Sequence, residues 1–159
     1  MAARRLETIV VFSRAGGLFL AVAALAVLCA YMYDVPGAYF TFRTMFITTL
    51  EGLILIPWDA YVLSIQVRWL CLRGEQPGNV KFLVLIAVEW LVASLTIGMA
   101  CAALSADLFG HYCATDSGCV FYLVAGGMAC TAGPLIALSA LGMLWIHGSQ
   151  FRRPQAPLV

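Results

Sequence analysis

Apolar residues in this chain fall into four long blocks separated by short polar connections, and three of the blocks carry charged residues in their interiors. The blocks cover about residues 8–32, 44–66, 81–106 and 120–146. A helix crossing a bilayer needs about 20 predominantly apolar residues, and each block is long enough. Lipid offers no partner for a free backbone N–H or C=O, so a spanning segment of this kind must satisfy its backbone internally as a helix. The pattern predicts an all-α fold: a four-span transmembrane helix bundle, one membrane domain over residues 1–159, with a disordered tail over about residues 150–159.

Composition agrees with that pattern. The chain is 63% hydrophobic and 11% charged, against about 25% charged for an ordinary soluble domain. With four spans, little is left over for a separate soluble catalytic domain. A net charge of +1 gives no reason to expect nucleic acid. The placement of charge says more. Arg4 and Arg5 precede the first block, Arg68, Arg73 and Lys81 lie around the middle connection, and Arg152 and Arg153 follow the last block. The other two connections contribute only Arg43, and they hold Asp34, Asp107 and Asp116. Positive charge marks the cytoplasmic side, so both termini and the middle connection are expected there. The first block is too long for the apolar core of a signal peptide and contains Arg14, so it is read as a retained span. The only Asn, Asn79, is followed by Val-Lys and forms no glycosylation sequon.

Several residues punctuate the spans. Pro36-Gly37 and the stretch Gly74–Gly78 break the chain between spans. Pro57 and Gly133-Pro134 fall inside spans two and four, where they kink a helix and either shape it or open a cavity. On span three, Ser94, Gly98, Ala102 and Ala106 recur every four residues. Such a small-residue stripe lets another backbone come close. Ala93, Thr96, Ala100 and Ala103 follow Glu89 down the adjacent face, so span three is expected to pack on two sides. Most Trp and Tyr residues sit toward span ends, as interfacial anchors do. Trp58 and Trp90 are placed deeper and are expected to pack inside the bundle.

The charges inside the blocks are Arg14, Glu51, Asp59 and Glu89. Placing one in hydrocarbon costs about 2.5–3.5 kcal/mol on insertion scales, so each must be paired or wetted. At about 1.5 Å per residue, Arg14, Asp59 and Glu89 reach depths within about 10 Å of one another. Gly17, Ala21 and Ala24 continue the helix face of Arg14, and Thr48, Gly52 and Gln66 share the face of Asp59. These neighbours mark both faces as interior. The expectation is an intramembrane pair, Arg14 with Glu89, and Asp59 as a third member or a protonated neighbour. The alternatives are snorkelling of Arg14 to the headgroups and a protonated, hydrogen-bonded Glu89. Glu51 approaches from the outer side, toward solvent.

Six cysteines are present. Cys113 and Cys119 share the second outer connection, where an oxidising compartment favours a disulfide over free thiols. Cys29, Cys101 and Cys130 read as small apolar fillers, and Cys71 near the cytoplasmic face is a candidate for palmitoylation. His111 and His147 lie at opposite ends of the spans and cannot share a metal, and no cofactor is implied. No C-x-x-C, H-E-x-x-H, G-x-S-x-G or Walker A pattern occurs, so no catalytic residue is assigned and no enzyme is expected.

Three stretches resemble a known family. Arg14-Ala15-Gly16-Gly17-Leu18-Phe19, Tyr39-Phe40-Thr41-Phe42 and Val88-Glu89-Trp90-Leu91-Val92, with Met99-Ala100-Cys101 and the outer Tyr112-Cys113 and Cys119, resemble in order and spacing the plant Casparian strip membrane domain-like (CASP-like) proteins, most of all the subfamily usually numbered five. The resemblance covers about residues 12–146. That family usually has Asp where Glu89 stands and Gln where Gly17 stands, and Asp59 has no clear counterpart in it. The family is similar to MARVEL-type tetraspans. The resemblance implies a multi-pass plasma-membrane protein that forms homodimers and heterodimers with related tetraspans and scaffolds membrane subdomains without catalysis. The rival expectation, drawn from the intramembrane acids, is a small oligomeric transporter or proton-coupled channel in which Asp59 and Glu89 bind the ion.

Overall fold

The computed structural model describes residues 2–34, 51–72, 78–108 and 118–151. These form four helical rods. The first is α1, Ala2–Asp34. The second is α-helical over α2, Ile56–Gln66, with π-helical turns before it at Glu51–Leu55 and after it at Val67–Cys71. The third is α3, Asn79–Leu108, and the fourth is α4, Gly118–Phe151. Each contains a stretch long and apolar enough to cross a membrane: Arg5–Ala30, Gly52–Cys71, Asn79–Gly98 and Val124–Ser149. Helix therefore extends past the sequence boundaries, as in α1, which begins at Ala2 rather than near residue 8, and in the second rod, where the Gln66 limit gives way to helical structure as far as Cys71. A helix does not end where hydrophobicity ends; its backbone ladder runs on until turn chemistry stops it.

Pro57 accounts for the first change of helix type in the second rod, from the π-helical turn to α2. It stands at the start of α2, directly after the π turn. A proline cannot donate to the carbonyl four residues back and collides with it, and a widened turn relieves that crowding. Pro134 lies inside α4 with its ring on the exposed side.

The rods alternate in direction. Gly142 near the end of α4 lies against Val10 near the start of α1, while Gly17 lies against Ala132 and Ile136. Gly133 of α4 faces Ala93 and Ile97 of α3. Gly52 touches Leu25, and Asp59 reaches Arg14. The N-terminus of α1, the end of the second rod, the start of α3 and the end of α4 thus share one end of the molecule. The largest interface is α1 with α4, followed by α3 with α4, with the second rod resting on α1.

Glycine sets how close two of these interfaces come. A Cβ at Gly142 would collide with the Val10 side chain, and one at Gly133 would collide with Ile97 and lie 3.4 Å from the Ala93 carbonyl oxygen. In lipid, where burial of apolar surface gives little net drive between helices, such close backbone contact is a main source of cohesion.

Buried stripes follow the helical period. On α1 the stripe is Val10, Arg14, Ala21, Ala24 and Leu28; on the second rod it is Leu55, Asp59, Val62, Gln66 and Trp69. On α3 it holds Phe82, Leu85, Ile86, Glu89, Val92, Ala93, Thr96 and Ala100. Arg14, Asp59 and Glu89 therefore each sit in the middle of an inward face. Two apolar layers bracket them: Val10, Val62, Trp69, Phe82, Leu85, Ile86, Met143 and Ile146 toward one end, and Ala24, Leu28 and Ala125 toward the other.

The two faces expected on α3 have different fates. Ala93, Thr96 and Ala100 are buried, whereas Ser94 and Gly98 are exposed, and among the described residues nothing lies within 4 Å of where a Gly98 Cβ would stand. Ala102 and Ala106 continue along the same helix. Trp90 corrects its expectation: it is 39% exposed, because it follows Glu89 directly and a one-residue step on a helix turns the side chain by about 100°. Cys29 and Cys101 are exposed rather than filling the core.

Where α3 and α4 run close beyond Gly133, the Cys101 and Cys130 sulfurs stand 3.9 Å apart. Oxidation of membranes with a copper–phenanthroline catalyst should join them into an intramolecular disulfide. Mass spectrometry should show a linked Cys101–Cys130 peptide in wild type and none in Cys130→Ser; only intermolecular products would contradict this helix register.

Candidate functional site

The candidate site is the polar layer between the two apolar ones. It is built from α1, the second rod and α3, each supplying one charged residue. Arg14, Asp59 and Glu89 are all 0% exposed. Arg14 does not snorkel, since its guanidinium is turned inward on the α1 stripe.

Arg14 and Glu89 form a two-pronged pair. Arg14 Nη2 donates to Glu89 Oε1 at 2.7 Å, and Nη1 donates to Oε2. This parallel geometry is the strongest arrangement a guanidinium makes with a carboxylate. Trp58 adds a third donor: its indole Nε1–H reaches Glu89 Oε1 at 2.6 Å. Trp58 stands next to Asp59 in the chain, so one turn of the second rod presents a hydrogen-bond donor and an acid to the same cluster.

Asp59 is held differently. Its Oδ1 lies 2.9 Å from Arg14 Nη2, close enough for strong attraction, but the alignment makes no hydrogen bond. Neither Asp59 oxygen has a hydrogen-bond partner among the described residues, and the same holds for Arg14 Nε. The two carboxylates are thus unequal: Glu89 accepts three hydrogen bonds and Asp59 none.

Two turns along the second rod, Gln66 forms a second buried polar contact. Its Nε2 donates to Ser139 Oγ on α4 at 2.9 Å and lies 3.2 Å from the Met143 sulfur, leaving Oε1 without a hydrogen-bond partner among the described residues. Gln66 and Ser139 are both 0% exposed. Beyond them, toward the same end, His147 stacks on Phe82 with ring centroids 3.9 Å apart, and Trp69 meets both edge-on. Together these contacts run from the charged layer to one end of the bundle. The other half is held by apolar contacts, and the Thr96 hydroxyl there donates to its own backbone at Val92.

The structure brings together Arg14, Glu89 and Asp59 of the sequence candidates. It leaves Ser94 and Gly98 on the surface. Cys113 lies outside the described residues, and so does its expected disulfide with Cys119. Sequence reasoning did not single out Ser139 or the donor role of Trp58. Ser139 gives no signal of its own, because serine is a common small residue in spans; Trp58 could have been found from its place beside Asp59. Among the described residues no group of three or more His, Cys, Asp or Glu is arranged to hold a metal ion.

Breaking the pair should cost far more than deleting its auxiliary donor. Arg14→Leu should destabilise the fold by about 3–5 kcal/mol, the usual cost of stranding a buried charge, and Glu89→Gln should cost less than that, because Asp59 still stands 2.9 Å from the guanidinium. The double variant should lose clearly less than the sum, since the contact is shared. Trp58→Phe should cost about 1.5–3 kcal/mol, the range for a hydrogen bond to a charged acceptor. Unfolding in mixed micelles reads all of these, and strict additivity of Arg14 and Glu89 would contradict the pairing. Compared with known proteins, the chain matches no family model, no curated protein and no solved structure.

Proposed function

We propose that this is a non-enzymatic multi-pass plasma-membrane protein that self-associates, as homodimers or with related tetraspans, and scaffolds a membrane subdomain in the manner of the CASP-like proteins it resembles. The reading places both termini in the cytoplasm, following the arginines and lysine at that end of the bundle. The observation that carries it is the contrast between interior and surface. The charged layer is wholly enclosed by side chains and closed by apolar layers on both sides. Chemistry so enclosed serves helix–helix adhesion rather than turnover of a substrate. On the outside, the small-residue face of α3 at Ser94 and Gly98 is open, and in lipid small residues are where a further helix approaches.

A second reading, a small oligomeric transporter or proton-coupled channel with Asp59 and Glu89 as the ion-binding carboxylates, draws on one observation, the lack of hydrogen-bond partners at Asp59. Against it, the polar layer is bracketed by apolar side chains at both ends.

The test uses two differently labelled copies reconstituted together in lipid nanodiscs. Wild type should co-localise above the level of random loading. Gly98→Leu should weaken association about tenfold, equivalent to about 1.4 kcal/mol, with the melting temperature unchanged because that position touches nothing among the described residues. A strictly monomeric wild type overturns the scaffold reading. Ion flux in proteoliposomes that disappears in Glu89→Gln while oligomers persist favours the transporter instead.

A further inference from the structure

We propose that Cys101 and Cys130 form a redox site facing lipid, a dithiol that closes to an interhelical disulfide by giving two electrons and two protons to a quinone dissolved in the bilayer. The pair comes from the way α3 and α4 meet. They run antiparallel, so positions step together along the seam. Gly133 lies under Ile97, and one turn on, Cys130 meets Cys101. Their sulfurs are 3.9 Å apart although the residues stand 29 positions apart in the chain. A disulfide bond is about 2.05 Å long, so closing it takes an approach of roughly 2 Å. Rotation about the two Cα–Cβ bonds supplies a movement of that size.

The surroundings of the pair select its reagent. Ala100 and Ala129, the chain neighbours of the two cysteines, are buried. Cys101 itself is exposed and Cys130 is half-buried, so the thiols lie on the outer side of the seam. The exposed residues described over 91–101 and 124–134 carry no charge. Along α3, Cys101 stands about 18 Å beyond Glu89, well outside the charged layer. With the rods crossing a bilayer, acyl chains cover this surface. An ionic reagent is kept from it, and an apolar one concentrates there.

The step balances without leaving an ion in hydrocarbon. Two S–H bonds break and one S–S bond forms. The two electrons and two protons pass to the carbonyl oxygens of the quinone, which becomes a hydroquinone. The dithiol is oxidised, the quinone is reduced, and reactants and products are all neutral. Each chain gives up its pair once, so the site is a switch that ties α3 to α4 rather than a centre of turnover. The tie restricts the unfolded chain, so the oxidised protein melts at a higher temperature. This chemistry rests on the four rods spanning a bilayer and is independent of self-association.

The full chain in lipid nanodiscs, reduced with dithiothreitol and then freed of it, tests the site. The probe is decylubiquinone, a benzoquinone with no open ring carbon for thiol addition. Peptide mass spectrometry should find Cys101 linked to Cys130 in wild type, with one hydroquinone formed for each link and a raised melting temperature. Dithiothreitol should reverse all three. Oxidised glutathione, which stays in water, should form the link about tenfold more slowly or less. Cys29 controls for exposure alone. It is exposed on α1, next to Leu28, which packs in the same apolar layer as Ala125, and should remain a free thiol. Cys130→Ala should lower the hydroquinone yield by one per chain. Because linkage is read in wild type, a variant that fails to fold leaves the test intact. Absence of the link with both reagents overturns the pair itself, as does a link that joins Cys101 to a second copy of the chain. A link formed faster by oxidised glutathione than by decylubiquinone overturns the placement of this seam in lipid, and with it the quinone.

Discussion

A guanidinium enclosed by helices is the constraint around which this molecule is arranged. Arg14 is 0% exposed, and among the described residues its charge is met by acids arriving on other helices. Glu89 comes from α3 and Asp59 from the second rod. For both to reach the same guanidinium, three rods must sit at one depth and one rotation. A slip of one residue on any of them would turn its charge by about 100° toward lipid. Packing of small residues alone tolerates many registers; a bidentate pair with a third donor tolerates few. The value of such a pair is therefore as much in specifying one arrangement as in stabilising it, since the gain in Coulomb energy is offset by the cost of removing both ions from water.

The fourth rod contributes no charge, and it supplies the largest contact surface. α4 lies against α1 through Gly142 and against α3 through Gly133, and both positions lack the Cβ that would hold the neighbours apart. Among the described residues its polar link to the second rod is through Gln66, which donates to Ser139 and lies against the Met143 sulfur. There is a division of labour here: α4 brings the backbones together, while the charged layer fixes how the remaining rods are turned. The apolar layers on either side isolate the charges from solvent and make each missing hydrogen bond more costly.

This arrangement bears on function through what it leaves available. The groups with chemical potential face inward and most are engaged with one another; Asp59 lies against Arg14 without a hydrogen bond among the described residues. The surface offers apolar side chains and a small-residue face on α3. A protein so built has more to present to lipid and to neighbouring helices than to a dissolved substrate, which is why a scaffold is proposed ahead of a transporter.

Much of the fold was legible in the one-dimensional pattern. Block length gave four spanning helices, because the thickness of a bilayer dictates how many residues a helix must keep apolar. The helical period placed Arg14 and Asp59 on inward faces, because Gly17, Ala21 and Ala24 repeat with one and Gln66 with the other. The period also put Ser94 and Gly98 on one face, yet it could not say that this face is open while that of Ala93 and Thr96 is covered; only the position of α4 decides that. Trp90 was placed inside for its depth, and depth along a helix says nothing of rotation about it. The unequal treatment of the two acids was beyond sequence altogether. Whether a carboxyl receives three hydrogen bonds or none depends on angles between side chains from separate helices, and those exist only once the helices have packed.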